Sequence, residues 1–341
     1  MESLAAIAST PPACAPDAVA KAVESYFGLA GEYAPLVSER DQNFCLACTD
    51  GRRFVVKVTS LAEPPETSDF QLGALLYLEG ADVEVPSVVR TRDGAVCGFI
   101  DSPEGRHRLR VVTWIEGESL LAAGIDAARA ADLGEALAGL DNALQDYANA
   151  GENPVLLWDL HRAGELRPLL PVIDDTETRQ VVARVIDDFE AHVVAAELRA
   201  QVIHGDANPE NVLLTANGTG FIDVSDRVRA PRIFDVAIAA AYLRSDGDDP
   251  LVHIRPFIAG YHAVAPLGED ETGLLFDLVR ARLATTVTLL YWRMRDRSSD
   301  DDYRRKSLQV EGTASRFLAA LERFGRANFV REINDLTRMT R

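Results

Sequence analysis

The chain has 341 residues, with 35 Lys or Arg against 53 Asp or Glu and a formal net charge of −18. A surface that negative repels phosphate backbones and excludes nucleic-acid binding through a basic footprint, while 47% hydrophobic residues excludes a disordered chain. No stretch approaches the ~18 uninterrupted apolar residues of a membrane span, and Met1-Glu2-Ser3-Leu4 lacks a basic, then apolar, leader. The expectation is a soluble cytoplasmic protein with no nucleic-acid or membrane partner, long enough to divide into two lobes.

The apolar spacing predicts a helix over 17–29, then short strands over 32–37, 43–49 and 53–58. Asp50-Gly51 between the last two marks a hairpin turn. Cys45 and Cys48 fall inside this strand-like run, and neither Cys14 nor Cys97 brings a close Cys or His. Structural thiols are therefore expected, rather than a zinc or redox pair. After Pro64-Pro65 a helix is expected over 68–78, then strands over 95–100 and 108–114. Beyond Gly117 helical spacing dominates, at 125–148, 175–198, 233–243, 251–263, 271–294 and 303–324. Short β segments interrupt it at 201–203, 211–214 and 220–222. The class expected is α+β, with a small β-rich lobe (1–115) and a larger helical one (116–341), and a ligand cleft between them.

The richest chemistry lies between those short β segments, in His204-Gly205-Asp206-Ala207-Asn208-Pro209-Glu210-Asn211, with Asp223 twelve residues further on. One carboxylate can take a proton from a hydroxyl, while an amide oxygen and a second carboxylate hold Mg²⁺ on phosphates. The gap of five from Asp206 to Asn211 is that of the D-x-x-x-x-N loop of kinases.

These residues, with Phe221-Ile222-Asp223, resemble the aminoglycoside phosphotransferase (choline kinase-like) family, small-molecule relatives of protein kinases with a two-lobed kinase-like fold. Asp41-Gln42-Asn43-Phe44, Ile222 to Asp226 and Phe234-Asp235-Val236-Ala237 resemble its hydroxylysine kinase branch. The resemblance implies Asp206 as catalytic base, Asn211 and Asp223 as Mg²⁺ ligands, and His204 and Asp235 as braces of the catalytic loop. It implies ATP or GTP as co-substrate.

In Phe54-Val55-Val56-Lys57-Val58 a single Lys interrupts an apolar strand. It is either an edge solubiliser or, by the resemblance, the lysine that grips the α- and β-phosphates. The usual glutamate partner is replaced in alignment by Gln71, which can accept a hydrogen bond but supplies no countercharge; Asp69 or Glu66 are other candidates, or Lys57 is held only by nucleotide and Asp223. No G-x-G-x-x-G follows the first strand. Phosphate contacts are expected instead from Ser38, Asn43 and the amides around Gln42, and purine contacts from the backbone of Thr113, Trp114 and Ile115. Asp226 is expected to face an acceptor ammonium, Arg282 its carboxylate, and Trp158 the cleft rim. The activity expected is transfer of a γ-phosphate to a hydroxyl of a small amino-bearing metabolite. Hydroxylysine comes first, then homoserine, choline or ethanolamine, or an aminoglycoside. An acidic surface favours cationic acceptors by steering. The rival from another class is a silent nucleotide-binding pseudokinase, motivated by Gln71 and by Val224-Ser225.

Overall fold

The computed structural model describes residues 11–38, 40–156, 158–223, 226–245, 247–295 and 302–339. The expectations resting on Met1 to Leu4, on Glu39 and on Val224-Ser225 lie outside these residues.

Helix α1 (Pro16–Phe27) opens with Pro at its first position and ends at Gly28 in the left-handed region. Five strands follow, β1 (Gly31–Leu36), β2 (Gln42–Cys48), β3 (Arg53–Val58), β4 (Gly98–Ser102) and β5 (Gly105–Thr113), in one antiparallel sheet of order β1-β2-β3-β5-β4. Strand alternation sorts them by face. Phe44, Leu46, Phe54, Val56 and Val58 pack with Val19, Val23 and Phe27 of α1. Lys57 points to the other face, where the register sets it opposite Asn43 on one side and Arg110 on the other. Cys45 and Cys48, three apart in β2, point to opposite faces and cannot share one ion.

Helix α2 (Pro65–Tyr77) links two cores. Leu72 and Leu75 pack with Val88 beside the sheet, whereas Phe70, Ala74 and Leu78 belong to the large helical core. The Tyr147 hydroxyl donates to the Phe70 carbonyl (2.9 Å) and stacks on its ring. Glu84 adds a second tie. Its carbonyl accepts from the Phe221 amide (2.8 Å) and its carboxylate from the Thr215 hydroxyl (2.6 Å).

In the helical part, β6 (Glu118–Ser119) precedes α3 (Leu120–Ala123) and α4 (Ala127–Leu144), the latter capped by Asp126. A 3₁₀ run (Leu160–Val172) and α5 (Thr176–His192) follow. Strands β7 (Ala200–Ile203), β8 (Val212–Thr215), β9 (Gly218–Phe221) and β10 (Val228–Pro231) form a sheet β6-β8-β9 and a ribbon β7-β10. Then come α6 (Arg232–Ala240), α7 (Ile254–Val264), α8 (Glu269–Thr272), α9 (Leu275–Met294), α10 (Asp302–Phe324) and α11 (Arg326–Met339).

The structure departs from the sequence expectations in particular places. The helix expected over 271–294 is broken at Gly273 and Leu274 into α8 and α9, and the strand expected from 95 starts at Gly98, after a turn closed by Thr91 on Ala95. The 3₁₀ run, β10 and α11 were not expected.

Candidate active site

Every residue of the catalytic segment sits at the end of a β element, where the chain leaves the sheet and its side chains are free to converge. β7 ends at Ile203 and delivers His204 to Asp206; β8 begins just after Asn211; β9 ends two residues before Asp223. Asp235, in the first turn of α6, accepts hydrogen bonds from the His204 amide (2.8 Å) and the Gly205 amide (2.9 Å), pinning the loop from below. Burial pushes its carboxyl up to about 6, against the pull of those two amides. Gly205 has φ 79°, and a Cβ there would lie 2.3 Å from the Asp226 carbonyl, so only glycine lets the two segments pass. His204 is fully buried: its Nδ1 accepts from the Asp206 amide (3.3 Å) and its Nε2 lies 3.1 Å from the Ile222 carbonyl. Burial lowers its pKa to about 4. The ring therefore stays neutral at ordinary pH, with the Nε2 proton on Ile222.

Asp206 is held on both oxygens. Oδ1 accepts from Arg282 Nη2 (2.5 Å), and Oδ2 from Asn208 Nδ2 (2.8 Å) and Asn211 Nδ2 (3.2 Å). Asn211 Nδ2 also reaches the Asp206 carbonyl (3.0 Å). With its NH₂ turned to Asp206, Asn211 keeps Oδ1 as the acceptor for a cation. Asn211 and Asp223 line the same cleft, and an amide oxygen with a carboxylate is a donor set that suits Mg²⁺. Asp223 has φ 57°, a left-handed conformation that non-glycine residues adopt at a cost and that recurs at functional sites.

The nucleotide side of the cleft is organised by a residue that the sequence reading quoted but did not assign. Asp41 is buried. Its carboxylate accepts from the Ser60 amide (2.8 Å) and pairs with Lys57 Nζ (3.3 Å) and Arg110 Nη2 (3.5 Å). Burial alone would raise its pKa, but Lys57, Arg110, the Ser60 amide and Arg40 outweigh it and hold the carboxyl below the usual range. Asp41 is thus a carboxylate partner of Lys57 that the sequence reading did not suggest. Gln71 accepts from Arg110 (2.6 Å) and donates to Glu63 (3.3 Å), Asp69 pairs with Arg108, and the carboxylate beside Lys57 comes from the nucleotide loop. The hairpin register could have shown it. A turn at Asp50-Gly51 sets Asn43 opposite Lys57, so Asp41 falls just past the lysine.

Ser38 and Asn43 line the cleft; the Ser38 hydroxyl accepts from the Asp41 amide (3.2 Å), and Asn43 Oδ1 is buried without a hydrogen-bond partner. The Gln42 side-chain amide is locked to the Cys14 backbone in both directions (2.9 and 3.0 Å), which anchors the segment before α1. At the junction after β5 the Thr113 amide donates to the Ser87 carbonyl and the Trp114 amide to the Arg53 carbonyl, so neither amide is free for a purine.

The three residues expected on the acceptor all line the cleft, yet each contacts the protein itself. Asp226 pairs with Arg40 (2.6 Å), whose guanidinium also lies 4.9 Å from the Trp158 ring. Burial, opposed by Arg40 and reinforced by Asp223 and Asp206, pushes the Asp226 carboxyl up to about 7. Arg282 donates to Asp206, to the Trp158 carbonyl (3.1 Å) and to the Tyr242 hydroxyl (3.1 Å), so it braces the base rather than standing open to a carboxylate. Arg40, Asn208 and Tyr242 are site residues that the sequence reading missed. Only Asn208 carried a signal, its place inside the catalytic motif.

Such a loop beneath a five-stranded sheet bearing an ion-paired lysine defines a class: kinase-like enzymes that phosphorylate the hydroxyl of a small molecule. Residues 32–275 match the sequence model of the phosphotransferase enzyme family (APH), and the chain belongs to that family. It is 26% identical over 299 residues to a hydroxylysine kinase of Mus musculus, covering 78% of this chain and 79% of that one. To a homoserine kinase of Rhodospirillum rubrum it is 28% identical over 264 residues, covering 74% and 77%. Among solved structures, an amicoumacin kinase in complex with AMP-PNP and Ca²⁺ shares the fold, with a TM-score of 0.72 at 15% identity over 92% of this chain and 94% of that one. No helix among the described residues is long and apolar enough to cross a membrane.

Proposed function

We propose that the protein is a Mg²⁺-dependent kinase that moves the γ-phosphate of ATP or GTP to a hydroxyl of a small amino-bearing metabolite, with hydroxylysine the first candidate. In this reading residues 1–115 hold the nucleotide and 116–341 carry the catalytic loop, the metal ligands and the acceptor site. The observation that carries it is the convergence of Asp206, Asn211 and Asp223 in one cleft with the Lys57–Asp41 pair. Relatives named hydroxylysine kinase and homoserine kinase support an amino-bearing acceptor.

Asp206 would accept the hydroxyl proton. Three hydrogen bonds stabilise its anionic form, so it works more by orienting the hydroxyl than by basicity, as a loose phosphoryl-transfer transition state allows. Lys57, fixed by Asp41, would contact the phosphates, with Ser38 and Asn43 beside it. Mg²⁺ on Asn211 Oδ1 and Asp223 would neutralise charge on the transferred group. Purine contacts at the junction would come from carbonyl oxygens and from Ile115. Because Asp41 supplies the countercharge that Gln71 lacks, Gln71 gives no support to a silent pseudokinase.

The test is a coupled nucleotide-consumption screen with ATP and GTP over hydroxylysine, homoserine, choline, ethanolamine and an aminoglycoside. Acceptor-dependent turnover with a hydroxy amino compound supports the reading. Tight Mg-nucleotide binding with no turnover on any of them overturns it in favour of the pseudokinase.

A further inference from the structure

Past Asp206 the cleft runs on between α9, α10 and the segment after α6, within a cavity of 1360 Å³. That volume takes in the nucleotide side of the cleft as well, from Ser38 and Lys57 to Asp223. From Tyr242 onward its lining includes Arg244, Arg282, Arg293, Arg316 and Arg323, and among the described residues no Asp or Glu. In a chain of net charge −18 this is a concentrated island of the opposite sign.

Helical spacing explains the alignment. Residues 282, 286, 289 and 293 form one face of α9, and 313, 316, 320 and 323 one face of α10, with both faces turned to the cavity. Thr286, Thr313 and Ala320 keep the space between the guanidiniums open. Arg282 is committed to Asp206, and Arg293 has a partner of its own. Arg244 is only partly satisfied: Nη1 donates to the Val310 carbonyl and the Thr313 hydroxyl, while Nη2 is buried with no hydrogen-bond partner. Arg316 and Arg323 form no ion pair with the described residues. Guanidiniums facing one cavity repel one another, and a bound anion removes that cost. Their forked donors match carboxylates and phosphates.

We propose that the preferred acceptor carries an anionic tail beyond its reacting hydroxyl, at least two carboxylate or phosphate groups and so one more than free hydroxylysine, held by Arg244, Arg316 and Arg323, with hydroxylysine itself the simpler and poorer member of that class. The proposal rests on the kinase reading only for which group reacts. It sets the acceptor apart from polycationic aminoglycosides, whose charge this wall repels.

Two measurements on the full chain test it, and they fail separately. In the first, the nucleotide site is filled with Mg–AMP-PNP, and calorimetry follows binding of tricarballylate, glycerol 3-phosphate and kanamycin. The anions should bind and kanamycin should not, and whichever anion binds tighter identifies the tail as carboxylate or phosphate. Arg316→Ala with Arg323→Ala, at exposed positions where folding is checked by melting temperature, should weaken anion binding about tenfold or more. Kanamycin binding as well as the anions, or a double variant binding them unchanged, overturns the proposal. The second result means that the protein's own carboxylates already neutralise the wall. The other measurement compares kcat/KM for hydroxylysine and for hydroxylysyl-glutamate, which adds a carboxylate tail. The dipeptide should be favoured about tenfold in the native protein, and that preference should vanish in the double variant. Equal use of both by the native protein overturns the proposal. Anion binding that behaves as expected with no turnover on either compound would instead strike the kinase reading and leave the tail site standing.

Discussion

Asp206 is the residue on which the chemistry turns, and its surroundings set what its loss should do. Asp206→Asn keeps the size and most contacts but removes the acceptor for the hydroxyl proton, so turnover should fall ~10²–10⁴-fold. Nucleotide affinity should hold, because the lysine and metal ligands are untouched; stopped-time product assays beside nucleotide titration check both. Asp226 yields a pH prediction. Its carboxyl, near 3.8 when exposed, sits at about 7 in the fold. The native state thus favours its protonated form, an advantage present below about 3.8 and lost as pH rises through about 7. Asp226→Asn should therefore gain stability relative to the native protein between about pH 4 and pH 7, by at most about 1.4 kcal/mol per pH unit, and level off above that. Denaturant titrations across that range decide it, and a gap that narrows with pH would remove Asp226 as the source. At this scale the local motif was legible: Asp206, Asn211 and Asp223 lie within 18 residues and announce themselves by spacing. The ion pairs were not. Arg40 meets Asp226 across 186 positions and Arg282 meets Asp206 across 76, and no periodicity encodes a contact made by folding.

Elements were legible in proportion to how strongly one face is apolar. β3 falls at the expected 53–58, and α1 and α10 fall within two residues of their expected limits, because a buried face imposes its period on the sequence. The 3₁₀ run Leu160–Val172 holds Pro168 and Pro171, which read as breakers, and β10 is four residues ending in proline. Packing between elements shows where small residues are needed. A Cβ on Gly260 of α7 would lie 2.3 Å from the Ala131 carbonyl of α4, and one on Gly134 of α4 would lie 2.1 Å from the Phe257 carbonyl. Backbone meets backbone on both sides, so neither helix can yield locally. Gly260→Ala improves helix propensity by about 0.8–1 kcal/mol, against an overpacking cost of about 1–3 kcal/mol. The contact distance, far below van der Waals contact, puts the cost at the upper end. The variant should be destabilised by about 1–2 kcal/mol in urea unfolding; a stabilised variant would show that the two helices separate freely.

For the molecule as a whole, the cleft is also where the two parts of the chain are held together most expensively. Asp41, Asp206, Asp223 and Asp226 all line it, and the Arg40–Asp226 pair joins the nucleotide loop to the segment after β9. Carboxylates brought this close repel, and Asp223 and Asp206 each contribute to the raised pKa of Asp226. A divalent cation with a nucleotide relieves that repulsion in the folded state alone, so binding must appear as stability. At a hundred times the dissociation constant the gain is about 2.7 kcal/mol. Asp223→Ala removes the anionic oxygen that the metal would use, and its left-handed backbone suits aspartate better than alanine, which adds a strain cost to the variant. The variant should therefore be somewhat less stable than the native protein in the absence of ligand, and show at most a small part of the Mg-nucleotide stabilisation. Nucleotide in the presence of a chelator should stabilise native and variant alike, through Lys57. Denaturation curves under the three conditions separate the cases. A variant that keeps the full metal-dependent gain would place the metal elsewhere in the cleft and take Asp223 out of the mechanism.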